Sequence, residues 1–273
     1  MMNVHYKITI LSVSILLVLA IIIGQGTANA DQKKMVISAV ETARRQGISE
    51  EIISNILAYS LDGKNNKSHS IHLLSILIRV SEAGIPLNPF DDKINEGFGK
   101  QIQPEKIEKS LNKLFDNYVF VRDMLDKAYN NSWVYSEKDI LALVESMDYG
   151  LPRNELRLLF EWAPAISPEM LSTAATNKAL LRQISIDDKL IDSIIYTGLS
   201  NQSLTPRWLL FFKVVVAAEK KGISSTKIAN AAKDVLTQKG DVGKILEKLG
   251  FTSRDVRHGP HIDSPPSANG HSP

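Results

Sequence analysis

Apolar residues recur at three- and four-residue intervals along nearly the whole chain beyond residue 30. Val36, Val40 and Ala43 form one stripe and Ile52, Ile56 and Leu57 a second. Leu73, Leu74, Leu77 and Ile78 form a third, and Ile107, Leu111, Leu114 and Phe115 a fourth. That spacing places each set on one face of a helix with 3.6 residues per turn. No stretch alternates apolar and polar residues between hairpin turns, so strands are not expected. The pattern predicts helices over 32–46, 50–61, 69–83, 89–98, 104–116, 118–130, 137–149, 153–162, 168–182, 186–197, 206–220, 225–237 and 241–249. The expected fold class is all-α.

The joints between these helices repeat. Gly47-Ile48-Ser49, Gly84-Ile85-Pro86, Gly150-Leu151-Pro152, Gly198-Leu199-Ser200 and Gly222-Ile223-Ser224 share the form Gly-[Ile/Leu]-[Ser/Pro]. Glycine takes the left-handed conformation that ends a helix, and the apolar residue after it packs back on the last turn. Serine then caps the next helix, or proline opens it without wasting an amide donor. A second signal is the Ile-x-Pro-Glu-x-apolar helix start, found at Ile102–Ile107 and again at Ile166–Leu171. Acids in a first turn are favoured by the helix dipole. Together these landmarks make residues 73–125 and 141–182 related modules. The expected architecture is stacked helical pairs forming a solenoid-like array over 31–250.

The two chain ends read differently. An apolar stretch from Ile8 to Ile23 follows the single basic residue Lys7 and leads to Ala28-Asn29-Ala30, the small-x-small triplet that signal peptidase accepts. Residues 1–30 are therefore expected to be a signal peptide, with cleavage after Ala30 and a periplasmic or secreted product. An uncleaved anchor is the competing reading, but this 16-residue stretch, broken by Thr9, Ser12 and Ser14, falls short of the roughly 20 residues that span a bilayer. At the other end, residues 257–273 hold four prolines, two glycines, three serines and three histidines, and 251–273 are expected to be a disordered tail.

Composition removes functions without selecting one. The 273 residues carry 32 basic and 30 acidic side chains, so no strong field draws the chain to nucleic acid. Loss of residues 1–30 removes Lys7 and no acid, leaving 31 against 30. With no cysteine there are no disulfides, thiolate metal sites or cysteine nucleophile, and the core alone must stabilise an exported protein. No second apolar run reaches membrane-spanning length, so no stable membrane span is expected after cleavage.

Candidate chemistry is sparse. His69 and His72 share a helix start, but a metal there needs a third ligand, and Asp62 is the nearest acid along the chain. They read as ordinary exposed residues. His258, His261 and His271, with Asp263, are the weak metal candidates, in a tail where binding must offset ordering entropy. No serine-nucleophile motif and no phosphate loop is present. Glu96-Gly97-Phe98-Gly99-Lys100 reads as a helix end with Lys100 opposing the dipole. Glu96, beside Phe98, and Glu161, beside Trp162, are the weak catalytic candidates, as the general acid of a glycan-acting hydrolase. Trp133, Tyr135, Trp162, Trp208, Phe211 and Phe212 are read mainly as core, with part of Trp133-Val134-Tyr135 exposed in a linker.

Gly84-Ile85-Pro86, then Lys93-Ile94-x-Glu96-Gly97-x-x-Lys100, then Pro104-Glu105-x-Ile107 resembles a segment of uncharacterised exported helical proteins of Gram-negative bacteria. The likeness covers about residues 73–125, and Gly150-Leu151-Pro152 opens a weaker second copy. It implies an exported helical protein and carries no catalytic residues. The expected function is a non-catalytic binding or scaffolding protein without cofactor or metal. Its partner would be a protein or peptide of the cell envelope. The alternative is the periplasmic glycan-acting hydrolase.

Overall fold

A computed structural model describes residues 30–61, 67–129, 134–162 and 166–251, and among them the ordered elements are all helical. In chain order these are α1 (Ala30–Arg45), α2 (Glu50–Leu61), α3 (Lys67–Glu82), α4 (Asn88–Gly99), α5 (Pro104–Tyr129), α6 (Glu137–Asp148), α7 (Arg153–Trp162), α8 (Pro168–Gln183) and α9 (Asp188–Ser200). A 3-10 turn (Pro206–Leu210) then leads into α10 (Phe211–Lys220), α11 (Ser225–Thr237) and α12 (Gly243–Leu249). The signal-peptide expectation, up to residue 29, and the tail from residue 252 lie outside the described residues. Phe251 does not belong to a tail: its side chain is buried, and Lys221 Nζ stands 4.5 Å from its ring centre.

Helix starts follow the sequence signals. Pro104 and Pro168 open α5 and α8, and Ser167 Oγ accepts from Met170 N. Asp187 accepts from the amides of Lys189 and Leu190 at the start of α9. Ser136 and Asp139 form a reciprocal capping box on α6. Two expected helices are one: 104–116 and 118–130 join as α5. The buried face runs Ile107, Leu111, Leu114, Tyr118, Val121, Leu125 and Tyr129, an unbroken three-four spacing with no glycine or proline to interrupt it. Conversely, the expected helix 206–220 divides into the 3-10 turn and α10.

Helix ends are closed by one recurring device. At Gly47, Gly84, Gly150 and Gly222 the backbone is left-handed, with φ of 78°, 62°, 101° and 75°. The next amide reaches back five residues, as in Ile85 N to Val80 O at 3.0 Å and Leu151 N to Ser146 O at 3.0 Å. Gly198 departs from the expectation. It lies inside α9, and a Cβ there would sit 2.7 Å from Leu204 Cδ1, so its role is close approach. The corner comes later, at Gln202, with φ of 51°. Gln101, Ser185 and Lys239 close helices in the same way, although they are not glycine.

The described residues fall into two compact units, divided at Val119–Phe120 inside α5. In the N-terminal unit α3 packs on α1 and α2, and α2 on α4. Its core includes Ile53, Leu74, Leu77, Phe90 and Leu111. In the C-terminal unit each helix from α6 to α10 meets the next but one: α6 with α8, α7 with α9, α8 with α10, α9 with α11 and α10 with α12. α8 is the central member and is buried nearly all round, through Leu171, Ala174, Ala175, Ala179 and Leu181. Its buried Thr173 and Asn177 satisfy their donors on carbonyls of their own helix, Glu169 O at 2.8 Å and Thr173 O at 2.9 Å.

Candidate functional site

In the C-terminal unit an open groove of about 320 Å³ is lined by Phe120, Asp123, Met124, Lys127 and Ala128 of α5 and by Arg157, Phe160 and Glu161 of α7. Helical periodicity builds both walls. The α5 residues fall at intervals of three, one, three and one, a second stripe beside the buried Val121–Leu125–Tyr129 face. The guanidiniums of Arg153 and Arg157 lie over the Phe120 ring, 5.0 and 5.3 Å from its centre. Phe160 is held by the Tyr129 ring, 6.1 Å away. The result is an apolar floor edged by two acids, Asp123 and Glu161, and two bases, Lys127 and Arg157. Of the sequence candidates, Glu161 alone lies in this groove. Its other lining residues were missed, because a second stripe on one long helix is hidden once that helix is read as two.

Glu96 belongs to the N-terminal unit and stands exposed near the end of α4. Lys100 Nζ donates to its Oε1 at 2.5 Å, and this bond holds the Glu96 carboxyl below its ordinary pKa. A general acid needs the opposite shift. The neighbouring Phe98 ring stacks on Tyr59 with centres 4.1 Å apart. Gly97 is buried because Ile107 fills the place of a Cβ, with its Cδ1 2.8 Å away. His258, His261 and His271 lie outside the described residues, as do Asp62 and Trp133. Val134 is fully exposed, and the Tyr135 hydroxyl donates to Asp126.

Two charged clusters arise that spacing alone did not announce. Lys178 of α8 is 2% exposed, with Nζ 2.5 Å from Asp192 Oδ1, 3.0 Å from Glu155 Oε2 and 5.2 Å from the centre of the Trp162 ring. Burial alone would raise the Glu155 pKa, but hydrogen bonds from Arg182 and Lys178 outweigh it and lower it. Arg182 also grips Asp188 at 2.7 Å. With its charge met by two carboxylates and a ring face, Lys178 ties α7, α8 and α9 together. In the N-terminal unit the α3 pair His69 and His72 faces Glu108 of α5. His69 Nδ1 lies 2.7 Å from Glu108 Oε1, and His72 Nδ1 lies 3.4 Å from Oε2. The acid beside the pair comes from a later helix, which distance along the chain conceals.

Comparison with protein-family models, with curated proteins and with solved structures finds no match.

Proposed function

We propose that this is an exported, non-catalytic binding or scaffolding protein whose stacked helical pairs hold a protein or peptide of the cell envelope. The observation that carries the reading is the groove between α5 and α7. An apolar floor of Phe120, Met124 and Phe160 inside a ring of mixed charges is the composition of a docking surface, with aromatic anchors at the centre and a polar rim. The next-but-one helix contacts of the C-terminal unit support the stacked-pair architecture. Export rests on residues 1–30, and the near balance of charge argues against a nucleic-acid partner. Among the described residues no helix is long and apolar enough to cross a membrane.

The test is crosslinking in envelope extract with the native chain and a Lys127→Glu/Arg157→Glu variant, both at exposed positions. A partner captured by the native protein and lost on charge reversal, at an unchanged thermal midpoint, is expected. Equal capture by both proteins would refute the groove. N-terminal sequencing of the same fraction should start at Asp31; a start at Met1 or Met2 on membrane-bound protein would favour the anchor.

A second reading is favoured by the two carboxylates in the one groove. Asp123 and Glu161 flank aromatic rings, the kind of surface a sugar lies against, and glycosidases work with a pair of acids. Turnover of an envelope glycan that is lost in Glu161→Gln and kept in Glu96→Gln would put the hydrolase first.

A further inference from the structure

Two helices of the N-terminal unit present matched pairs to each other: His69 and His72 from the first turns of α3, Glu105 and Glu108 from the first turns of α5. Residues three apart share a helix face, so each pair acts as a two-pronged unit. The Glu108 carboxylate spans both histidines, with Oε1 2.7 Å from His69 Nδ1 and Oε2 3.4 Å from His72 Nδ1. Glu105 Oε1 lies 3.1 Å from the other ring nitrogen of His69, Nε2. The helices are fixed beside each other one turn and more further on. Arg79 donates to Asn112 Oδ1 at 2.8 Å and lies over the Phe115 ring, and Asn112 in turn donates to Glu108 O at 2.9 Å.

We infer that His69, His72 and Glu108 form a binding site for a divalent transition-metal ion of the zinc class, with Glu105 as the positioning residue. Two imidazoles and one carboxylate are a donor set that suits zinc and leaves a fourth position to water. One ligand atom from each of the three residues lies within 4.8 Å of the other two. Ligand atoms around a tetrahedral zinc stand about 3.3 Å apart at ordinary bond lengths. His72, with 59% of its side chain exposed, is free to swing inward and close the difference. His69 and Glu108 are largely covered and already oriented, at 17% and 18% exposed. Glu105 Oε1, 3.1 Å from His69 Nε2, is placed to accept the Nε2–H once Nδ1 ligates the ion, the usual carboxylate–histidine–metal arrangement.

Zinc titration of the whole exported chain, first stripped with chelator, tests this by calorimetry and by thermal midpoint. One ion per chain at micromolar affinity or tighter is expected, with a raised midpoint. His69→Ala should abolish that site. His72→Ala and Glu108→Gln should weaken it at least tenfold, and Glu105→Gln less than Glu108→Gln. A His258→Ala/His261→Ala/His271→Ala variant should keep it. Should the His69 variant lose helical circular dichroism, His72→Ala decides, because that exposed side chain can be removed without harm to the core. No zinc uptake by the native chain would overturn the assignment. Uptake that survives His72→Ala unchanged or disappears with the tail histidines would also overturn it.

Discussion

The carboxyl of Asp91, in the first turn of α4, has one oxygen buried without a hydrogen-bond partner. Burial raises its pKa from 3.8 to about 6, helped by the charges of Asp92 and Glu51. A folded pKa above the unfolded one means that the folded state binds the proton more tightly. Asp91 therefore favours folding as pH falls from about 6 to about 4 and weakens it as pH rises through that window. Asp91→Asn should raise the thermal midpoint at pH 7.5 more than at pH 4.5, as differential scanning fluorimetry at both pH values would show. Glycines divide by the same kind of local reasoning. Gly84 has φ of 62° and nothing within 4 Å of an added Cβ, so Gly84→Ala should cost about 1 kcal/mol through the backbone alone. Gly198 is helical, and its Cβ would collide with Leu204. Gly198→Ala should cost less in a Leu204→Ala background than in the native chain, a coupling that denaturant titration of the four proteins reads directly. The two glycines carry the same tripeptide signal. Only the contact with Leu204, which no spacing rule supplies, separates a corner from a close approach.

At the scale of elements, apolar periodicity located nearly every helix, because each buries one stripe and the stripe is written in the chain. α5 shows where reading by segments misleads. Its stripe from Ile107 to Tyr129 never breaks, and Asn117 and Tyr118 are buried within it. Glycine marked four of the corners, but Gln101, Ser185, Gln202 and Lys239 take left-handed backbone without any signal in their side chains. There the packing of the following segment outweighs a local preference worth about 1–2 kcal/mol. What a corner contributes depends on the residue after it. Ile85 and Leu151 are buried at 4% and 2% exposure, whereas Ile102 stands 37% exposed and offers its carbonyl to the Tyr59 hydroxyl. Ile85→Ala and Leu151→Ala should each cost about 2–4 kcal/mol and Ile102→Ala under about 1. Urea midpoints of the three variants check the ranking, and equal losses would mean that the corner geometry, not burial, sets the cost. The candidate site was legible only where one residue announced itself, as Glu161 did. The groove and the His69–Glu108 cluster need partners brought from other helices.

At the scale of the molecule, the division into two units runs through one helix. The buried face of α5 serves the N-terminal unit through Ile107, Leu111, Leu114 and Tyr118, and the C-terminal unit through Val121, Leu125 and Tyr129. Phe90, fully buried, lies 5.8 Å from Tyr118, and the Phe160 ring reaches Tyr129 beside the fully buried Leu159. Local opening follows buried contacts, since a helix is held in proteins mainly by the face it buries. Each half of α5 should then open with its own core. Phe90→Ala, at about 3–5 kcal/mol, should speed amide exchange in α1 to α4 and in the first half of α5. Leu159→Ala, at about 2–5 kcal/mol, should speed exchange in the second half of α5 and in α6 to α12. Hydrogen exchange read by mass spectrometry resolves the two halves as separate peptides. If both variants accelerate the whole of α5 equally, the helix opens as one cooperative unit, and the boundary at Val119–Phe120 divides contacts without dividing stability.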